Sequence, residues 1–276
     1  YIYMDYKDKY LKYKKKYLEL QNQLGGCRKM TGGNHSSGPD CSECSQKHKM
    51  GSFDKKISKF VYFYSDIYEF YNQHIKENLN NIFDIDGIKI DDLNTKKKHT
   101  FKGGVSIKIE LIIKKIKENI GKHIIFTDAT IFINKNKKHD LLNFFNNYLS
   151  YDICFADNLN HSYHTYNIGI ILIHCTSKIL IFFENVLDTL IKTRDWDQKV
   201  INNLIKKEKN LKIGKFPKNK IYCNYHFDET LKDDFLIFKS FIHHQNNIIN
   251  NYNQRIEIFK KGNLISEDEY NLLIKK

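Results

Sequence analysis

The 276-residue chain lacks an apolar run long enough to cross a bilayer, which takes about 20 residues. Its richest stretch, 168–187, is broken by His174, Ser177, Lys178 and Glu184. The amino-terminal segment is charged and tyrosine-rich, without the apolar centre of a secretory signal. These absences lead us to expect a soluble, cytoplasmic protein. Arginine is scarce: it stands only at Arg28, Arg194 and Arg255, so the net charge of +13 is almost all lysine. Proteins that read nucleic acid lean on the arginine fork. Lys, Asn and Ile are all abundant and share A/T-rich codons, so a pI near 9.2 does not require selection for an acidic partner. Nucleic acid is therefore not the expected partner, and a basic nucleic-acid-associated structural protein stands as the remote alternative. The six cysteines form no disulfide framework. Cys154, Cys175 and Cys223 fall in or beside expected core strands, as reduced thiols do.

What is there divides into a head, a linker and a body. Residues 1–24 place Tyr3, Tyr6, Tyr10, Tyr13, Tyr17, Leu20 and Leu24 at alternating steps of three and four. That is the seam of a coiled coil, which reads as self-association through a partner helix; a solvated lysine-rich tail is the competing reading. Gly25-Gly26 supplies the stop. Residues 25–52 have no apolar periodicity and read as a linker. Within it Cys41, Cys44 and His48 have zinc-ligand spacing, and Cys27 or His35 would complete a set of four. A second Cys pair is missing, so the linker reading is preferred. The first 50 residues hold ten Lys or Arg against five Asp or Glu, so +5 of the net charge lies in the head.

The body, 53–276, is rich enough in apolar residues to build a core, at 41% hydrophobic and 14% aromatic for the chain. A β-like run over 60–64 ends at Ser65-Asp66 and leads into a helical stretch to about Asn78. Gly103-Gly104 precede a helix over 107–120, with Ile107, Leu111, Ile112, Ile116 and Ile120 on one face and Gly121 as its stop. The strand His123-Ile124-Ile125-Phe126-Thr127-Asp128 follows, then a second apolar run at 131–133. Asp140 is expected to cap a helix through Tyr148. Strands are expected over 151–156 and 168–173, helices over 179–191 and 196–205, and strand pieces near Ile213 and Ile221. A helix around 248–260 and a last helix opened by a capping box, Ser266 to Glu269, complete the chain. Strands alternating with helices predict an α/β fold with a mostly parallel sheet.

In such sheets ligands bind beyond the carboxyl ends of the strands. Asp66, Asp128 and Asp157 each end a strand. A carboxylate there holds a divalent metal or a ribose hydroxyl, or merely begins a polar turn. Thr130, two residues beyond Asp128, shares its face if the strand continues. Gly169 lets a ligand approach the backbone, beside Asn167. Asp197-Gln198 opens a helix, where carboxylate and amide together suit sugar hydroxyls and the carboxylate also complements the helix dipole. His243-His244 are candidate metal ligands, and Lys108 a candidate diphosphate contact.

Over about 60–260 the order of these pieces resembles the nucleotide-diphospho-sugar transferases, glycosyltransferases of the GT-A fold. The matching residues are the Lys108 helix, Thr127-Asp128-Ala129-Thr130, Asn167-Ile168-Gly169, Asp197-Gln198 with Asn202, and His243-His244 ahead of Arg255-Ile256. The head, with Tyr10-Leu11-Lys12-Tyr13 closing in Gly25-Gly26, resembles the amino-terminal segment of many giant-virus (mimivirus-like) proteins. The resemblance implies transfer of a sugar from a nucleotide-sugar donor to a glycan or protein acceptor, assisted by Mn²⁺ or Mg²⁺. Asp128 matches the first acid of the family's Asp-x-Asp metal motif, but Thr130 stands where the second belongs, which favours a catalytically inactive relative as the alternative. His244 matches the late metal-ligand histidine. Asp197 and Gln198 are then the candidate catalytic residues, and Ser65, Lys108, Thr130, Asn167 and Gly169 the candidate donor and acceptor contacts.

Overall fold

The computed structural model describes residues 57–90, 101–158, 165–241 and 248–274. The tyrosine-rich head, the linker with Cys41, Cys44 and His48, and the His243-His244 pair lie outside the described residues. A six-stranded sheet has the order β2-β1-β3-β6-β5-β7. Its strands are β1 (Ile57–Tyr64), β2 (Ile85–Lys89), β3 (His123–Asp128), β5 (Ile153–Asp157), β6 (Tyr166–His174) and β7 (Ile213–Lys215). Five run in one direction and β6 runs against both its neighbours. A second sheet joins β4 (Ile131–Ile133), β9 (Ile237–Ser240) and β8 (Ile221–Asn224) in that order.

The central strands read as unbroken apolar runs because both faces are covered. Successive side chains alternate between two layers. Ile124, Phe126, Ile153, Phe155, Ile171 and Ile173 pack against α2 (Phe101–Glu118), α4 (Ser177–Thr193) and α5 (Asp197–Ile205). Ile125, Cys154, Ala156, Ile170 and Leu172 face the other way, toward α1 (Glu69–Leu79), α3 (Asp140–Asn146) and the small sheet. A third, aromatic cluster joins α1 to α6 (Ile248–Lys261) and α7 (Glu267–Ile274) through Tyr71, Phe132, Phe238, Tyr252 and Phe259. His74 of α1 is drawn into this packing. Its ring stacks on Phe132 at 4.3 Å, and its Nε2 accepts from the Ile133 amide at 2.9 Å. Burial, with the Lys135 charge acting in the same direction, lowers its pKa to about 3.

The sequence-based expectation of an α/β fold with a mostly parallel sheet stands, and several boundaries move. Gly103-Gly104 lie inside α2, which starts at Phe101. That helix stops at Glu118, so Ile120 is half exposed beyond it, and Gly121 makes the turn at φ +84°. Asp140 is the first residue of α3 and does not cap it; His139 holds the cap position in helical backbone. The capping box of α7 is reciprocal: the Ser266 amide donates to Glu269 Oε2 at 2.8 Å and the Glu269 amide to Ser266 Oγ at 3.1 Å. β2 and β9 had no expected counterpart. Cys154, Cys175 and Cys223 are buried free thiols, each pushed up to about 12 by burial. Among the described residues no helix is long and apolar enough to cross a membrane.

Candidate functional site

β3 enters from the core and ends at Asp128, opposite Phe63 of β1. The chain then turns at once: the Ile131 amide donates to the Ala129 carbonyl at 2.8 Å, a three-residue turn centred on Thr130. The strand therefore does not continue to Thr130. The rule that residues two apart share a face does not apply here, and Thr130 is a buried turn residue.

Two lysines close on Asp128. Lys108, from the third turn of α2, places Nζ 2.9 Å from Asp128 Oδ1. Lys239, from β9, places Nζ 2.5 Å from Oδ2. Lys108 also reaches Asp197 Oδ2 at 3.4 Å, so two ammonium groups and two carboxylates form one chain. Their side chains are almost closed to solvent, at 7% for Lys108 and 9% for Lys239, while Asp128 keeps 26%. Burial works against charge on Lys108, Asp128 and Lys239, and its balance with pairing differs among the three. For Asp128 the two lysines outweigh burial and hold its carboxyl well below the usual range. For Lys108, Asp128 and Asp197 outweigh burial, and its pKa lies above the ordinary lysine value. For Lys239 burial prevails, joined by the charges of Arg255 and Lys108, and its pKa is lowered despite Asp128.

Lys239 reaches Asp128 by lying across Gly169. A Cβ at residue 169 would stand 2.3 Å from Lys239 Cε and 2.5 Å from Cδ. Gly169 thus makes room for a side chain of this protein, where the sequence suggested room for a ligand. Its amide donates to Asn167 Oδ1 at 2.9 Å, and Asn167 Nδ2 donates to Gln198 Oε1 at 3.3 Å. Asp197 starts α5, and its Oδ1 accepts from the Gln198 amide at 2.9 Å. Asn202, one turn on, holds that helix to the sheet. Its Oδ1 accepts from the Tyr166 amide and its Nδ2 donates to the Tyr166 carbonyl, both at 2.9 Å. Arg255 of α6 donates from one terminal nitrogen to the Ser240 carbonyl and, at 3.1 Å, to Ser240 Oγ. Among the described residues its Nε–H has no partner.

Lys108, Asp128, Asn167, Gly169, Asp197 and Gln198 are therefore neighbours, as their strand-end and helix-start positions suggested. Ser65 is not in this network: it follows β1, and its carbonyl accepts from the Tyr68 amide at 2.8 Å. The other strand-end carboxylates meet lysines elsewhere, Asp66 with Lys89 at 2.5 Å and Asp157 with Lys215 at 2.9 Å. The residue that sequence reasoning missed is Lys239. Its one signal is a lysine closing the apolar run Phe235-Leu236-Ile237-Phe238.

A hard dication takes about six oxygen ligands. Here both Asp128 oxygens are engaged by ammonium groups, and residue 130 is a threonine in a turn. Among the described residues no three His, Cys, Asp or Glu side chains converge. The described part of this donor set does not by itself fit a resident Mn²⁺ or Mg²⁺; His244, the other implied ligand, is outside the described residues.

No family model and no curated protein matches the chain. Solved structures do. A glycosyltransferase involved in the glycosylation of the major capsid of PBCV-1 aligns with a TM-score of 0.52 at 10% identity, covering 76% of this chain and all of that one. The apo form of the glycosyltransferase GlyE of Streptococcus pneumoniae TIGR4 aligns at 0.46 and 10% identity, over 80% of this chain and 62% of that one. Mouse xyloside xylosyltransferase 1 aligns at 0.41 and 10% identity, over 66% and 97%. The fold is GT-A-like.

Proposed function

We propose that the protein is a glycosyltransferase that moves a sugar from a nucleotide-diphosphate-sugar donor to the hydroxyl of a glycan or protein acceptor. The observation that carries this reading is the chain Lys239–Asp128–Lys108–Asp197, at the sheet edge where such folds bind ligands. In this reaction the diphosphate leaves with growing negative charge, and preorganised cations lower that barrier. Lys108 and Lys239 are fixed by salt bridges and shielded from water, so their charges act at low dielectric. Asp197, with Gln198 and Asn167 beside it, orients the reacting hydroxyl and takes its proton. Asn158, just after β5, is 5% exposed, and among the described residues neither atom of its side-chain amide has a partner, so it offers a donor and an acceptor to a hydroxyl-bearing ligand.

A thermal-shift screen of nucleotide sugars, followed by an assay for slow donor hydrolysis, tests this reading. A transferase raises its melting temperature with one donor class and hydrolyses it. Asp197→Asn should then lower turnover by about 100-fold or more while donor affinity stays within a few fold. Stabilisation without hydrolysis, with any acceptor, would support the inactive relative that Thr130 suggests. Tight, steeply salt-dependent DNA binding without any response to nucleotide sugars would support the nucleic-acid reading.

A further inference from the structure

We propose that Lys239, together with Lys108, stands in for the divalent cation, so that the site binds the diphosphate of its donor without metal. This rests on the glycosyltransferase reading and concerns how that site meets its ligand's charge. The two ammonium groups arrive from different elements, α2 and β9, and take different oxygens of one carboxylate. Asp128 thereby acts as a post that fixes two cations. Lys108 spends two of its three N–H donors, on Asp128 and Asp197; Lys239 spends one and keeps two.

Space is also made for this arrangement. Residue 169 is glycine where any Cβ would collide with the Lys239 side chain. Arg255 stands close enough for its charge to act on Lys239, and among the described residues its Nε–H is buried and unpartnered. The Arg255 charge thus adds to a network of two ammonium groups and two carboxylates. An added dication would meet a surplus of positive charge, whereas a diphosphate would balance it. Thr130 and Lys239 then belong together: the second acid of a metal motif is dispensable where a lysine supplies the positive charge.

The test is calorimetric titration of the full chain with uridine diphosphate, guanosine diphosphate and inorganic pyrophosphate, in chelator and again in Mn²⁺. We expect at least one probe to bind in chelator, with affinity changing less than threefold in Mn²⁺. Lys239→Met should weaken that binding tenfold or more, and Lys239→Arg should keep most of it. Circular dichroism confirms that each variant is folded. Binding that needs Mn²⁺, or tightens tenfold with it, overturns the proposal and leaves the transferase reading standing. Unchanged affinity in a folded Lys239→Met protein overturns it too. If that variant does not fold, the response of the parent to Mn²⁺ decides alone. Failure of every probe under both conditions removes the glycosyltransferase reading, and the proposal falls with it.

Discussion

His74 lies between Phe132 and the Ile133 amide, and burial holds it neutral to a pKa of about 3. Asp128 lies between two lysines, and pairing keeps it charged. Both groups are largely withdrawn from water, so each had to shed its charge or neutralise it. The neutral solution serves packing: one hydrogen bond and one ring stack dock β4 on α1. The charged solution is costly, since desolvating an ion pair takes back much of what pairing yields. A fold gains little stability from a buried chain of two lysines and two aspartates, and functional sites are where such groups collect. The difference between the two regions is itself a reason to place chemistry at Asp128.

The strongest way to break this comparison is to remove the shared carboxylate. Asp128→Ala leaves Lys239 buried without a partner and Lys108 with Asp197 alone, and should lower stability by about 3–5 kcal/mol in urea denaturation. A triple variant with Asp128→Leu, Lys108→Met and Lys239→Met removes the whole problem and should recover most of that loss. If Asp128→Ala costs less than about 1 kcal/mol, the lysines escape to water and the network is not a buried one.

The two regions also differed in how plainly the sequence announced them. Asp128, Asp197 and Gln198 were legible because each interrupts or opens a periodic apolar segment, a local signal. Lys239 was not, because its partner is 111 residues away and one lysine says little in a chain this rich in them. β2 escaped for another reason. As an edge strand it is only half-buried along its length, so Ile85-Asp86-Gly87-Ile88-Lys89 shows no apolar run. The break after Asp128 was hidden too, since Ile131-Phe132-Ile133 reads as the same strand continuing. Only pairing with β9 shows that it belongs to another sheet. Thr130 thus looked like a strand residue sharing Asp128's face and is in fact the centre of a turn.

Acid separates the two regions next. His74 has a folded pKa of about 3 against an ordinary value of 6.5. Between those values the unfolded chain binds more protons, so stability falls as pH falls, by at most about 1.4 kcal/mol per unit. Asp128 is depressed as well, so its contribution is fully present above about pH 4 and is lost only as pH falls toward its folded value. From pH 6.5 to 4.5 His74 should therefore account for a loss on the order of 2–3 kcal/mol, with His174, also lowered by burial, adding to it in the same direction. His74→Phe should be less stable at pH 7, where it forfeits the Ile133 hydrogen bond, yet flatter across that range. Equal slopes in the two proteins would mean that His74 takes up its proton within the fold.

The smallest effect on stability should come from Gly169→Ala, and it bears on the charged region alone. The backbone at Gly169 does not use the left-handed conformation, which among described glycines belongs to Gly121. Alanine is therefore unstrained, and its lower entropy in the unfolded chain returns about 0.4–1 kcal/mol. Its Cβ would overlap Lys239 Cε, Cδ and Nζ, at 2.3, 2.5 and 2.7 Å. Those atoms are the far end of a flexible side chain, which moves more readily than backbone. The amide of residue 169 keeps its bond to Asn167. Net stability should thus fall by about 1–2 kcal/mol, less than for Asp128→Ala, because only Lys239 is displaced and Asp128 keeps Lys108. What changes is the position of Lys239, which must leave Asp128 Oδ2 to clear the new methyl group. Nucleoside diphosphate affinity should fall toward that of Lys239→Met, about tenfold, equivalent to about 1.4 kcal/mol. Melting curves and titration of the same preparation read the two effects separately. A protein that melts like the parent and binds like the parent would show that Lys239 has another route to Asp128, and that the gap above Gly169 does not set its place.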